Sequence, residues 1–511
     1  MQVSGETRGE GGQGGVPAPG GGDGADKGDK GERIRRIVGI SAGLIAFLVI
    51  AFTPNALHTI PGQGHRPAYA AGVTALMALW WLTEAVPIAI TACAPLVLYP
   101  ALGVFGKGLA GDIARATEPF WDAYIFLFMG GMVIGAAMEQ WNLHRRVALH
   151  IMRAIGTRPK RLLFGMLVAT AGSSLWISNT ATAVMMLPIA AALLAQLEAA
   201  AGKKLWHFGA ALMLSVAYAS NIGGVGTKIG TGTNSIFCGF VADKLKIDIG
   251  FLHFMALGLP FVVIFIPIIW AVLWRTARKD DLGEGRGREL LDEELRAMGR
   301  MSSGEKKVAW VFVAAATLWI AGDFIRRPIG PLVPELWSGF KFQGKHYEAC
   351  VAMLAAFTLA GMGAVSVRAL RRVPWSTLLL LGGSFAMAAG IEGSGLSKWI
   401  ALQFHGVAGM PLAAQIGLAT GGTVVLSAVA SNTATVNVAL NVLPPAMPVL
   451  AATMIAASCD FMLPAGTPPN AIVFGSGAIR LPVMMKTGFV LDLLAVVVIT
   501  VYMLVYGQLL F

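Results

Sequence analysis

Charge is what this chain has least of. Only 13% of its 511 residues are Asp, Glu, Lys or Arg, against about 25% in an average soluble domain. So few charges cannot cover a water-facing surface of this size, which excludes a soluble enzyme, a disordered protein and a nucleic-acid binder. Cysteine is scarce as well. Cys93, Cys238, Cys350 and Cys459 are widely separated and lie mostly in apolar stretches, fitting neither a disulfide framework nor a zinc pattern. There is no Walker motif, nucleophile elbow or zincin helix, and the histidines show no ligand spacing. The N-terminal stretch lacks the short apolar core of a secretory signal. Rich in Gly and polar residues, residues 1–32 read as a disordered tail.

What fills the chain instead is apolar: 56% of it is hydrophobic. The expected fold is an all-α polytopic membrane protein of about eleven transmembrane helices plus two re-entrant helical hairpins. Spans fall near residues 34–52, 68–82, 85–104, 121–138, 208–241, 251–274, 308–325, 347–365, 375–391, 449–476 and 483–509. No charge occurs between Arg161 and Glu198, or between Lys398 and Asp460. The first of these stretches has Arg158, Lys160 and Arg161 before it and Lys203 and Lys204 after it. Basic loops stay cytoplasmic, so this segment enters and leaves on one face, as a hairpin whose tip is buried in protein. The N-terminus is then cytoplasmic and the C-terminus external, in the plasma membrane of a bacterium (its inner membrane). Arg326, Arg327, Lys341 and Lys345 strain this count by falling outside. Residues 33–274 form a first repeat with its leading scaffold helix, 275–307 a cytoplasmic linker with a short surface helix, and 308–511 a second repeat.

The halves resemble each other. Ser178-Asn179-Thr180-Ala181-Thr182 recurs 253 residues later as Ser431-Asn432-Thr433-Ala434-Thr435. Leu127-Phe128-Met129-Gly130-Gly131 is echoed by Leu379-Leu380-Leu381-Gly382-Gly383, and Gly230-Thr231-Gly232-Thr233-Asn234 by Gly466-Thr467-Pro468-Pro469-Asn470. One hairpin opens from the cytoplasm and the other from outside, so the repeats are inverted. Inverted repeats with Gly/Pro-interrupted segments at matching positions point to a secondary transporter with its site near the bilayer midplane.

A Ser-Asn-Thr triplet inside an apolar hairpin is costly unless its polar groups are used. Each triplet starts a half-helix with N-cap residues, leaving free N–H groups and a positive dipole end that attract carboxylates. The interruptions at 223–234 and 464–470 free backbone carbonyls, which are hard oxygen donors. Neither hairpin contains a carboxylate, so a cation there must be held by neutral oxygens. That suits Na⁺ better than a divalent metal. Two half-sites imply at least two Na⁺ ions and a polar anion between them.

With these motifs, and with Trp80-Trp81-Leu82-Thr83-Glu84-Ala85-Val86-Pro87, the chain resembles the divalent anion:sodium symporter (DASS) family from about residue 34 to the C-terminus. The resemblance implies a homodimer with a fixed scaffold and an elevator-like transport domain bearing both hairpins. It implies a first sodium site at Ser174, Ser178, Asn179 and the Gly230 carbonyl. A second would use Ser427, Ser431, Asn432 and the Gly466 carbonyl. Substrate carboxylates would meet Asn179, Thr180, Asn432, Thr433, Thr467 and Pro468, with Ser178 and Ser431 beside them. Two features depart from the pattern: Gly-Thr-Gly-Thr-Asn in the first block, and Lys228 where an apolar residue is usual. A Lys at membrane depth either snorkels or pairs with a carboxylate such as Asp460, or its ammonium replaces one Na⁺ or touches the substrate. The expected activity is Na⁺-coupled import of a di- or tricarboxylate of the succinate, malate and fumarate class. The rivals on the same fold are a sodium-independent dicarboxylate exchanger and a sulfate symporter.

Overall fold

The computed structural model describes residues 23–280, 287–322, 324–325, 343–403 and 409–510. Among them there are helices and connecting turns and no strand. The leading helices are α1 (Asp23–Phe52), α2 (Arg66–Thr83), α3 (Ile88–Ala92) and α4 (Ala94–Leu102). The first repeat continues with α5 (Ala123–Gln140), α6 (Leu143–Ile155), α7 (Pro159–Ser174), α8 (Asn179–Ala201), α9 (Trp206–Gly224), α10 (Gly232–Lys244) and α11 (Phe251–Ala277). After the linker come α12 (Ser303–Ile320), α13 (Gly344–Gly361), α14 (Trp375–Gly393), α15 (Leu412–Ser427), α16 (Asn432–Val442), α17 (Met447–Ala456), α18 (Pro468–Phe474) and α19 (Leu481–Tyr502).

Over the described residues, each expected span overlaps one of these helices or an interrupted pair. Among the described residues, six segments are long and apolar enough to cross a membrane by themselves: Arg33–Thr59, Gly108–Gln140, Asn179–Ala201, Phe251–Ala277, Trp375–Gly393 and Leu481–Leu510. The outward surface of several helices is apolar, with Val97, Trp310, Leu354, Phe357, Val425 and Val497 exposed. Apolar surface on this scale is the signature of lipid contact, and the chain is a multi-pass membrane protein.

Local rules set the boundaries. Helix α1 begins at Asp23, inside the stretch expected as a tail over 1–32. Pro159 opens α7 at a position where its missing N–H costs nothing. Gly202 closes α8 in the left-handed region at φ 63°. Helix α12 starts at Ser303, ahead of the expected residue 308, because Ser302 and Glu305 form a reciprocal capping box with hydrogen bonds of 3.1 and 2.7 Å. The surface helix expected in the linker is present at Gly287–Ala297. It is held to α6 by Arg145–Glu294 at 2.5 Å and Arg153–Asp292 at 2.8 Å. Arg326, Arg327 and Lys341 lie outside the described residues, and Lys345 pairs with Asp122 at 2.7 Å.

The duplication is structural. The order α5, α6, α7–α8, α9–α10, α11 is repeated as α14, Leu396–Gln403, α15–α16, α17–α18, α19. Helix α9 runs through the centre, with every residue over 208–224 buried. Helices α5 and α13 meet at backbone distance, since a Cβ on Gly130 would collide with the Ala352 backbone. Packing of small residues, rather than exclusion of water, holds membrane helices together in this way. A second apolar cluster joins α2, α4 and the inner face of α14 through Trp81, Tyr99 and Met387.

Candidate functional site

Four chain breaks converge. In the first repeat they are the turn between α7 and α8 and the loop between α9 and α10. In the second they lie between α15 and α16 and between α17 and α18. Ser178 and Ser431 each cap a new half-helix, accepting the backbone N–H of Ala181 and Ala434 at 3.4 and 3.3 Å. The caps aim two positive helix ends at the centre.

Behind each cap lies a group of oxygens. Ser174 Oγ is 2.9 Å from Asn179 Oδ1 and 2.6 Å from the Ser220 carbonyl. Ser427 Oγ is 3.0 Å from Asn432 Oδ1 and 2.8 Å from the Ala457 carbonyl. A hydroxyl carries one hydrogen and can donate it to only one of these acceptors. Each cluster therefore brings three oxygens together around a single proton, inside protein. Ser174 and Ser427 are both fully buried.

The loops are locked by a matched pair of asparagines. Asn234 donates through Nδ2 to the carbonyls of Gly224 (2.8 Å) and Thr227 (2.6 Å). Asn470 donates to those of Asp460 (2.9 Å) and Leu463 (3.0 Å). Thr227 Oγ1 donates to Leu175 O at 2.5 Å, fastening the first loop to the first hairpin. Space is tight: a Cβ on Gly224 would strike Asn179 Oδ1, and one on Gly230 would strike the Gly224 carbonyl.

The repeats also interlock. Asn221 Nδ2 donates to Thr467 Oγ1 at 3.0 Å, linking α9 to the cap of α18. A side chain on Gly232 would press on the Thr433 methyl, so the second hairpin tip sits at the start of α10. Burial sorts the residues singled out by sequence. Ser174, Ser427, Gly230 and Gly466 are buried. Asn179, Ser431, Asn432 and Thr433 are half-buried, Thr467 is buried at the rim, and Ser178, Thr180 and Pro468 are exposed. The two serine hydroxyls and the two glycines therefore lie deeper than the caps and the tip residues.

One sequence expectation is corrected. Lys228 does not meet Asp460. Its Nζ lies 2.7 Å from Glu348 Oε2 on α13 and 5.5 Å from the centre of the Tyr124 ring on α5. The neighbouring Ile229 seats the loop on Gly131 of α5, on the side where Glu348 of α13 meets Lys228. Sequence reading missed Glu348, and also Asn221. Glu348 stands near the start of an expected span, and nothing local marks its partner.

Paired chain breaks around one oxygen-lined centre, in an apolar helical chain with a repeated order of helices, fit a membrane transporter. The sequence matches the citrate transporter family over residues 78–459, and the chain belongs to that family. It is a transporter of the divalent anion:sodium symporter type that its motifs resemble. A sodium-dependent dicarboxylate transporter, SdcS, of Staphylococcus saprophyticus is 34% identical over 501 residues, covering 92% of each chain. The protein of the same name in Staphylococcus aureus is 33% identical over 491 residues, covering 91% of this chain and 90% of its own. Among solved structures, the YdaH transporter of Alcanivorax borkumensis shares the fold, with a TM-score of 0.55 at 14% identity. That match covers 84% of this chain and 98% of the other.

Proposed function

We propose that this protein imports a di- or tricarboxylate, of the succinate, malate and fumarate class, driven by Na⁺. The reading rests on the mirrored oxygen clusters: three oxygens around one proton, twice, each behind the positive end of a half-helix. A small hard cation satisfies such a cluster better than a hydrogen bond can. One Na⁺ is held by Ser174, Ser178, Asn179 and the Gly230 carbonyl. A second is held by Ser427, Ser431, Asn432 and the Gly466 carbonyl. The names of the Staphylococcus relatives, which specify sodium and dicarboxylate, support the same assignment.

The anion then sits between the tips. Asn179, Thr180, Asn432, Thr433, Thr467 and Pro468 line its place, with Ser178 and Ser431 at the caps. Bound sodium and two helix ends offset the charge of a dianion that no basic side chain of the hairpins meets. Sodium binds first and orders the tips, lowering the ordering cost when the anion arrives. The loaded domain, carrying both hairpins, moves as an elevator against a scaffold that pairs with a second copy. The N-terminus is cytoplasmic and the C-terminus external.

Uptake of labelled succinate into proteoliposomes, with and without an inward Na⁺ gradient, tests the coupling. Uptake that requires Na⁺ supports it; uptake indifferent to Na⁺ makes the protein an exchanger. Competition by unlabelled dicarboxylates, citrate and sulfate ranks the substrates, and sulfate outcompeting succinate would reassign the anion.

A further inference from the structure

The two broken helices are matched residue by residue over their locked loops. Asn234 and Asn470 are 236 residues apart, as are the carbonyls they hold: Gly224 with Asp460, and Thr227 with Leu463. Gly230 and Gly466 keep the same spacing. At one of these matched positions the chemistry differs sharply. The first repeat has Gly224, where a Cβ would strike Asn179 Oδ1. The second repeat has Asp460, whose carboxylate reaches the place that a Cβ on Gly466 would occupy, near the Ala428 carbonyl. The Asn432 amide adjoins it.

This carboxylate is 1% exposed, and neither oxygen has a hydrogen-bond partner. Among the described residues no Lys, Arg or His pairs with it. Lys228, the buried cation nearest in sequence pattern, is taken by Glu348. From the backbone only its own N–H faces the carboxyl. Helix α18 begins with Pro468 and Pro469, which have no N–H to offer. Asp492, the other carboxylate close by, accepts the Phe461 N–H at 3.0 Å and adds negative charge rather than relieving it. The Asn470 Oδ1 and Ser458 Oγ atoms are also buried without partners. An ionised carboxylate in this position demands a counter-charge, and no basic side chain among the described residues supplies one.

We infer that Asp460 is a direct anionic ligand of the cation bound in the second repeat. The inference rests on the proposed sodium sites and deepens them. The two sites are then chemically unequal: the first is built of neutral oxygens, the second is neutralised by its ion. The second site fills first, at low Na⁺, and holds its ion more tightly. Its occupant is monovalent, since one carboxylate and a few neutral oxygens match one positive charge.

The test is Na⁺ binding to the purified full-length protein in detergent, by ²²Na⁺ equilibrium binding and by the Na⁺ dependence of the unfolding midpoint. Asp460→Asn keeps the shape and removes the charge. Asp460→Gly, which gives the second repeat the residue of the first, serves if the amide variant misfolds. The wild type should show two classes of site. Either variant should weaken the tighter class at least tenfold and leave the weaker class within twofold. Without Na⁺ the variants should unfold at a higher temperature than the wild type, and at saturating Na⁺ at a lower one. A purely structural carboxylate would not reverse that order. Unchanged Na⁺ binding in both variants overturns this assignment and leaves the sodium reading standing. A wild type that binds succinate but no Na⁺ overturns both. Tighter binding of Ca²⁺ than of Na⁺ overturns the monovalent occupant.

Discussion

Lys228 Nζ stands 2.7 Å from Glu348 Oε2, with both side chains closed to solvent. The pair joins the loop between α9 and α10 to α13, and the Glu348 carbonyl in turn accepts Trp319 Nε1 at 3.0 Å. Removing one member of a buried pair strands the other, whereas replacing both by apolar residues is often neutral. Lys228→Leu should therefore cost about 3–5 kcal/mol, read as a lower unfolding midpoint or lower yield. Lys228→Leu combined with Glu348→Leu should recover most of that loss. The Na⁺ dependence of uptake in the double variant should match the wild type; a changed Hill slope would return Lys228 to a role in cation coupling.

Ser174→Ala and Ser427→Ala each delete the hydroxyl at the heart of one oxygen cluster. Loss of one ligand or hydrogen bond of this kind is worth about 1–2 kcal/mol. Each variant should raise the Na⁺ concentration for half-maximal uptake by roughly 5–30-fold. The maximal rate at saturating Na⁺ should fall much less. An unchanged half-saturation value in both would remove these serines from the cation sites.

Gly224→Ala places a methyl against Asn179 Oδ1. Overpacking in a tight site costs about 1–3 kcal/mol, and here it displaces a group that both anchors the hairpin tip and faces the centre. The protein should still fold and purify, while succinate uptake falls at least tenfold. Full uptake would mean that the tip has room to give.

Asp280 caps α9 from beyond α11. It accepts the N–H groups of His207 and Phe208 at 2.8 and 2.9 Å and meets the His207 ring at 2.8 Å. Burial alone would push its carboxyl up, but the Phe208 N–H and the His207 contacts outweigh it and hold the group below its ordinary range. A carboxyl depressed in the folded state adds stability above its unfolded pKa of about 3.9. That stability disappears as the pH falls through the lower, folded value. Asp280→Asn should lower stability by about 1 kcal/mol near neutral pH. It should also make the unfolding midpoint less sensitive to acid below about pH 4.

Much of the site was legible because it is punctuation. Ser178 and Ser431 cap their helices, and the Gly/Pro breaks open the chain, by rules that act within a few residues. The duplication then located the same parts twice. The Lys228–Glu348 pair and the Asn221–Thr467 bond were not legible. Each joins residues more than a hundred positions apart, and only the seating of Ile229 on Gly131 and the packing of α9 beside α18 decide them. The length of α8 was also hidden. At 23 residues it exceeds its partner α7, although a hairpin read from charge spacing gives no measure of where each arm ends.

The bond from Asn221 to Thr467, and the seat that Gly232 offers to Thr433, have a consequence for how the molecule can be divided. Neither half owns a finished centre; each supplies the wall that the other leaves open. Cut within residues 281–286, the chain would yield two pieces that are inert alone, and a mixture of the two would be the smallest unit able to regain transport. Change on one side of the centre must therefore be answered on the other, which ties the two copies together long after their sequences have drifted apart.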